Sequence, residues 1–240
     1  MPDFLTFTLA APLAAIGELA VGERRGSWDR PARSAVLGLI AACLGLNRAD
    51  EAAHIALDAQ YHLALRVERV GVMLADYHTA QVPAAKRGRH FATRAEELFV
   101  SDLNTILSRR DYRTDLLAFI ALWPDPGARW SLAEIAAAMR APCYTTYFGR
   151  KSCPLMLPLA PTATQAADPV AALASRVQQE KARGLLRSAR YDKPPLVSLD
   201  AADAEWFGLR VHRVEVRRDR IASRQRWQFT LREEAVLEAT

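Results

Sequence analysis

The feature that most constrains this chain is an uninterrupted apolar octet, Leu116–Trp123 (LLAFIALW). It is far too short to span a bilayer. The Pro-Asp-Pro-Gly that follows it is a strong turn signal, so the octet reads as a buried strand. Partners for it exist elsewhere in the chain. Residues Asp3–Leu9 alternate, with Leu5, Phe7 and Leu9 on one face, as in a half-buried strand. Tyr61–Val70 alternates in the same way, with Leu63, Leu65 and Val67 facing together. Between these two, a glycine-punctuated loop over Ala11–Asp29 leads to Pro31, placed where a helix can begin without wasting an N–H. Ala35, Val36, Leu39, Ile40, Cys43 and Leu44 then recur at helical spacing, and Gly45 or Asn47 can end that helix. A short second helix fits Asp50–Asp58. Ser131 with Glu134 forms a capping box for a helix over Leu132–Met139.

The order is strand, helix, strand, extension, strand, helix. One further strand within or after residues 144–155 completes βαββαβ, the ferredoxin-like arrangement of an α+β fold. The extension, Val72–Arg113, holds few large apolar residues and reads as lying beyond the core. In the last third, Asp168-Pro169 starts a helix running to about Gln179. Tyr191–Leu199, Trp206–Arg217 and Arg226–Arg232 are strand-like, the last two as a hairpin.

At 240 residues, half of them hydrophobic and a quarter charged, the chain suits one soluble globular domain with an elaboration. The longest helical apolar run, Ala35–Leu46, suits a buried helix rather than a membrane span. An acid in MPDFLTFTLAAP stands where a signal peptide would want basic residues, so a cytoplasmic location is expected. Cys43, Cys143 and Cys153 make no Cys-x-x-Cys pair, and His54 and His62 sit near apolar positions as packed or surface side chains. No metal and no cofactor are therefore expected. Arg150 and Lys151 would lower the thiol pKa of nearby Cys153, but no cysteine-hydrolase signature accompanies it. Walker and Gly-x-Gly-x-x-Gly loops are missing too.

The net charge is +5, and only four of the 32 basic residues are lysine. Arginine's planar fork suits phosphate and stacks on bases, which points to a polyanion. A genome favouring arginine codons would give the same composition, so placement has to decide. Four clusters interleave arginine with aromatic or histidine side chains: ERRGSWDR, AKRGRH, SRRDYR and YTTYFGRKS. Cations for phosphates beside flat groups for splayed bases are what single-stranded RNA recognition requires. A competing reading is a metal-independent ribonuclease, with His78 or His90 as acid and base and Lys86 on the phosphate. The C-terminal run LRVHRVEVRRDRIASRQRWQ, with seven arginines against two acids, fits an RNA surface or an interface with an acidic partner.

The segment Leu9–Arg48, the DYHT at Asp76–Thr79, YTTYFGRKSCPL at Tyr144–Leu155, the following LAP and QAADPVAAL resemble, in the same order, the CasD-type subunits of the type I-E CRISPR surveillance complex, Cascade. The resemblance runs from Phe4 to about Leu173 and is weak beyond it. It implies a ferredoxin-like, RNA-recognition-like body over residues 1–75 and 114–165, a protruding thumb over 76–113 and a strand-containing C-terminal extension over 166–240. It also implies a non-catalytic RNA-binding subunit that holds the 5′ handle of the crRNA and caps the filament of backbone subunits. On this view the thumb touches the adjoining backbone subunit, the large subunit docks close by, target DNA is met only as part of the complex, and no membrane is involved. By motif match, RNA contact is expected at Tyr144, Tyr147, Gly149, Arg150, Lys151 and Ser152, and at Arg24, Arg25, Trp28 and Arg33. His78, Arg109, Arg110 and Arg113 follow. The KRGRH insertion and the arginine-rich tail depart from the family pattern.

Overall fold

The apolar octet sits at the centre of the fold because both of its faces are covered. The computed structural model describes residues 1–17, 22–184, 186 and 194–238. Its strands are β1 (Asp3–Ala14), β2 (Arg24–Arg25), β3 (Tyr61–Arg69), β4 (Val72–Pro83), β5 (Leu103–Pro124), β6 (Thr162–Gln165), β7 (Leu196–Asp200), β8 (Val211–Ser223) and β9 (Gln228–Leu237). Its helices are α1 (Arg33–Cys43), α2 (Glu51–Gln60), α3 (Arg94–Leu98), α4 (Leu132–Arg140), α5 (Pro169–Ala182) and α6 (Ala201–Trp206). One mixed α/β unit results, dominated by an antiparallel sheet in the order β6-β1-β5-β3-β7-β9-β8. The octet belongs to β5, flanked by β1 and β3, with Ile120 opposite both Phe7 and Leu65.

Alternation along β5 feeds two separate cores. Leu116, Ala118, Ile120 and Leu122 pack with Val36 and Ile40 of α1 and Ile135 and Met139 of α4. Leu117, Phe119, Ala121 and Trp123 face the other way, toward Leu173 and Val177 of α5 and Ala204 of α6. A strand buried on both faces has no solvent side to mark with polar residues, hence the unbroken run. The capping box closes at α4, where the Ser131 hydroxyl accepts from the Glu134 N–H and the Glu134 carboxylate accepts from the Ser131 N–H at 2.7 Å. At α5, Asp168 accepts from the Ala171 N–H at 2.8 Å, and Pro169 takes the first turn.

Several expectations are corrected. The loop placed at Ala11–Asp29 begins later, since β1 runs to Ala14, and residues 18–21 lie outside the described ones. Of the strand expected over Tyr191–Leu199, residues 191–193 lie outside the described ones, Pro194 and Pro195 are not in a strand, and β7 starts at Leu196. Trp206–Arg217 is not one strand. Good helix formers at 201–205 carry α6 through Trp206, Gly208 takes a left-handed φ of 63°, and β8 starts only at Val211. β8 and β9 then pair as a hairpin, and with β7 they continue the same sheet.

β5 extends well before the octet. Its first half pairs with β4 in a two-stranded ribbon from Val72↔Thr114 to Pro83↔Leu103. This ribbon leaves the body at a register shift between Val67 and Arg69. Gly71 turns there with φ 73°, and a Cβ on it would stand 1.6 Å from the Thr114 carbonyl oxygen, so the site accepts only glycine. Neither ribbon face is covered: Leu74 and Ile106 on one side, and Met73 and Tyr77 on the other, are exposed.

His62 links α6 to the body. Its Nδ1 lies 2.8 Å from Asp203 and its Nε2 lies 3.0 Å from Asp125, with the ring stacked 5.5 Å from Trp123. The bond to Asp203 raises the imidazole pKa, burial opposes the rise, and Asp125 adds to it. A folded-state pKa above the unfolded one stabilises fully below about pH 6.5, and that stabilisation disappears as pH rises through the folded value. Denaturant titrations across this window should show wild-type stability declining with rising pH more steeply than His62→Gln. Parallel pH profiles for the two proteins would contradict this assignment.

Candidate nucleic-acid interface

Three of the four arginine-aromatic clusters meet where the ribbon joins the body. β2 lies parallel along β5, setting Arg24 beside Arg109 and Arg25 beside Arg110. Asp111, 1% exposed, anchors the corner by accepting from Arg24 at 3.3 Å and from Arg109 at 3.2 Å. Arg113 donates from Nε to the Trp28 carbonyl oxygen at 2.9 Å. Trp28 is held in turn by the guanidinium of Arg217, 3.8 Å above its ring.

The third segment arrives as a tight turn. Phe148 inserts into the core, and its carbonyl accepts from the Ala15 N–H at 3.1 Å at the end of β1. The Phe148 N–H donates to the Cys153 carbonyl and the Cys153 N–H to that of Arg150, both at 2.8 Å. Cys153 is wholly buried, so it closes the turn rather than presenting a thiol. Gly149 has φ 89°, and a Cβ there would fall 1.7 Å from the Ala15 carbonyl oxygen. The residue that permits this turn is therefore a glycine for steric reasons. The turn carries Arg150 onto the ribbon base, its guanidinium 4.6 Å from the Tyr112 ring and donating to the carbonyls of Asp111 (3.5 Å) and Arg25 (3.4 Å).

Carbonyl acceptors orient a guanidinium without neutralising it. Among the described residues, Arg25, Arg110, Arg113, Arg150 and Lys151 form no ion pair, whereas Arg24 and Arg109 share the one Asp111 carboxylate. The Arg110 Nε is buried without an acceptor. Uncompensated cations beside the exposed Tyr147 and the half-buried Trp28 make a surface suited to phosphates and unstacked bases. Tyr144, Tyr147, Lys151 and Ser152 lie exposed on the turn and its approach.

The other expected residues fall differently. Arg33 is 2% exposed, pairs with Asp58 at 3.2 Å, and donates to the carbonyls of Asp58 and Tyr61 at 2.6 Å each. Its guanidinium is consumed inside the fold, so Arg33 leaves the candidate surface. His78 sits mid-ribbon, paired with Asp76. The AKRGRH cluster is at the far end of the ribbon, where Lys86 (2.8 Å) and Arg89 (2.9 Å) hold the Asp102 carboxyl down at about 2. From His78 to the end of β4 is roughly 17 Å along the strand, which separates that histidine from the tip.

An RNA-recognition-like sheet stacks bases on its open face. Here that face is covered by α5 over Phe119 and by α6, so contact is left to the ribbon base and the loops. A cleft of about 330 Å³ adjoins the turn, reached past Tyr147 and Gly149 and walled by Arg48, Arg224 and Trp227. Arg224 and Trp227 fall in the C-terminal arginine run, for which the sequence left an RNA surface and an acidic protein partner open; Arg48 was not singled out.

Gly149→Ala should destabilise the chain by about 1–3 kcal/mol, read as a lower denaturation midpoint with unchanged m-value. A wild-type midpoint would show that the turn does not depend on the Gly149–Ala15 approach.

The family model of CRISPR-associated proteins (Cas_Cas5) matches residues 4–233. The chain is 35% identical over 181 residues to the CRISPR system Cascade subunit CasD of Escherichia coli (strain K12), covering 72% of this chain and 76% of that one. Among solved structures, a chain of a CRISPR RNA-guided surveillance complex superposes with a TM-score of 0.62 at 26% identity, over 98% of this chain and 89% of that one. A crystal structure of a Cas protein shares the fold with a TM-score of 0.58 at 21% identity, over 98% of this chain and 95% of the other. Among the described residues, no helix is long and apolar enough to cross a membrane.

Proposed function

The chain belongs to the CRISPR-associated Cas5 family, and we propose that it is the CasD-type, non-catalytic subunit of a type I-E Cascade that holds the 5′ handle of the crRNA and caps the backbone filament. The observation that carries this reading is the convergence of ERRGSWDR, SRRDYR and YTTYFGRKS at the ribbon base. Segments distant in sequence there leave several cations without acids beside aromatic rings. Single-stranded RNA needs that combination; an enzyme would need a base and acid within reach of one another. The strand order β6-β1-β5-β3, with α1 and α4 against one face, supports a ferredoxin-like body.

The β4–β5 ribbon, which exposes Leu74 and Ile106 on one face and Met73 and Tyr77 on the other, is the thumb and contacts the adjoining backbone subunit. Two strands without a core beneath them are marginal alone, which favours a partner there. The large subunit docks nearby, target DNA is met only through the assembled complex, and the protein acts in the cytoplasm. The ribonuclease alternative is weakened for both histidines by the pairing of Lys86 with Asp102, and for His78 also by its separation from the ribbon tip.

Replacing Arg150 and Lys151 together by alanine in the assembled complex should weaken handle-RNA binding. It should also reduce the salt slope of log K by about 1.4, two phosphate contacts' worth on a single strand. Anisotropy titrations at several salt concentrations measure both. Wild-type affinity and slope in the double variant would overturn the proposal.

A further inference from the structure

The cleft beside the Tyr147–Gly149 turn gathers several destabilising features with no visible return. Its floor is the small-residue side of α1, including Ala35 and Gly38, and its outer wall is the β8–β9 turn. Trp227 in that turn has φ 56°, a left-handed conformation that is rare for a bulky side chain, and the residue is 41% exposed. Backbone outliers of this kind concentrate at functional sites.

Two cations crowd the same ring, Arg48 at 4.8 Å and Arg224 at 4.5 Å from its centroid. Neither forms an ion pair among the described residues, and the Arg224 Nε is buried without an acceptor. Burial lowers the Arg224 pKa, with Arg48 adding to the effect; the neighbouring Tyr147 and Glu51 oppose it. Glu51 meets the turn through its backbone, accepting the N–H groups of Arg224 and Gln225 at 2.9 Å each. Among the described residues, Asp219 is the only acid lining the cleft. It is already taken by the Arg232 guanidinium at 2.6 Å and the Arg33 N–H at 2.8 Å. Arg218, also on the wall, has no acid either among the described residues.

We propose that this cleft seats one unstacked nucleotide of single-stranded RNA, its base on the arginine–tryptophan stack and its phosphate drawing on Arg48, Arg218 and Arg224. This rests on the RNA-binding reading above and extends it to the C-terminal hairpin. Like charges held together need an anion, and flat guanidinium and indole planes suit a base. An acidic protein segment would use the arginines but not the exposed ring. Tyr147 and Trp28 line both this cleft and the approach to the ribbon base, so one strand could run from one to the other.

The test uses the full chain and two short probes of equal length, oligouridylate and an abasic ribose-phosphate oligomer. Trp227→Gly should weaken oligouridylate binding about 5-fold or more, the loss expected from one stacked base, and leave the abasic oligomer within about 2-fold of wild type. Its melting temperature should not fall, because glycine relieves the left-handed backbone. Arg48→Ala with Arg224→Ala should weaken both probes and lower the salt slope. Wild-type oligouridylate binding by Trp227→Gly, in a protein still sensitive to Arg150→Ala with Lys151→Ala, overturns the cleft alone. Equal losses on both probes together with a lower melting temperature assign Trp227 a structural role and also overturn it. A wild-type chain that binds neither probe overturns the RNA reading itself.

Discussion

The buried ionic network around Arg33 is the interaction on which the arrangement depends. Arg33 joins α1 to Asp58 at the end of α2, to Asp200 at the end of β7 (3.4 Å), and through its backbone to Asp219 on β8. Arg232 binds Asp219 and, at 2.7 Å, Asp200. Glu234, wholly buried, takes Arg30 at 2.7 Å and Arg217 at 3.0 Å. Burial would push the Asp219 carboxyl up, but Arg232 and Arg217 hold it below the usual carboxylate range. Charges removed from water at this density persist only as a complete set; losing one partner typically costs about 3–5 kcal/mol. The network also reaches the surface, since Arg217 stacks on Trp28, whose carbonyl receives Arg113 of the ribbon base. Core electrostatics thereby position both walls of the candidate interface.

Two populations of arginine stand apart from the ordinary surface pairs. Arg30, Arg33, Arg176, Arg217 and Arg232 are buried, and each is matched to acids, as with Arg176 and Glu180 at 2.7 Å. Arg25, Arg48, Arg110, Arg150, Arg218 and Arg224 form no ion pair among the described residues, and they gather at the ribbon base and the cleft. Composition alone cannot tell these populations apart, because the same side chain serves both. The C-terminal run contains both kinds within a few residues: Arg217 is locked to Glu234 while Arg218 faces the cleft.

Burial pattern explains what was legible in the sequence. The octet of β5, the alternation of β1 and β3 and the capping box at Ser131 carry local signals, because each is fixed by its own face or its own turn. The ribbon was legible only as an extension. β4 has no covered face, so no alternation marks it, and SRRDYR lies within the strand β5. Trp206, Leu209 and Val211 imitate a strand, yet the helix formers before Gly208 prevail. Motif matching put Arg33 on the surface because its neighbours Arg24, Arg25 and Trp28 are there; its acids come from α2 and the C-terminal strands, far away in sequence. The cleft has the same cause, since Arg48 and Trp227 meet only across the folded sheet.

The most direct measurement is crosslink mapping of the assembled complex loaded with crRNA carrying photoreactive uridines in its handle. The account predicts RNA adducts on peptides spanning residues 22–30, 108–113 and 147–152, the segments that converge at the ribbon base. Handle crosslinks confined to other subunits, with these three peptides joined instead to neighbouring proteins, would contradict it.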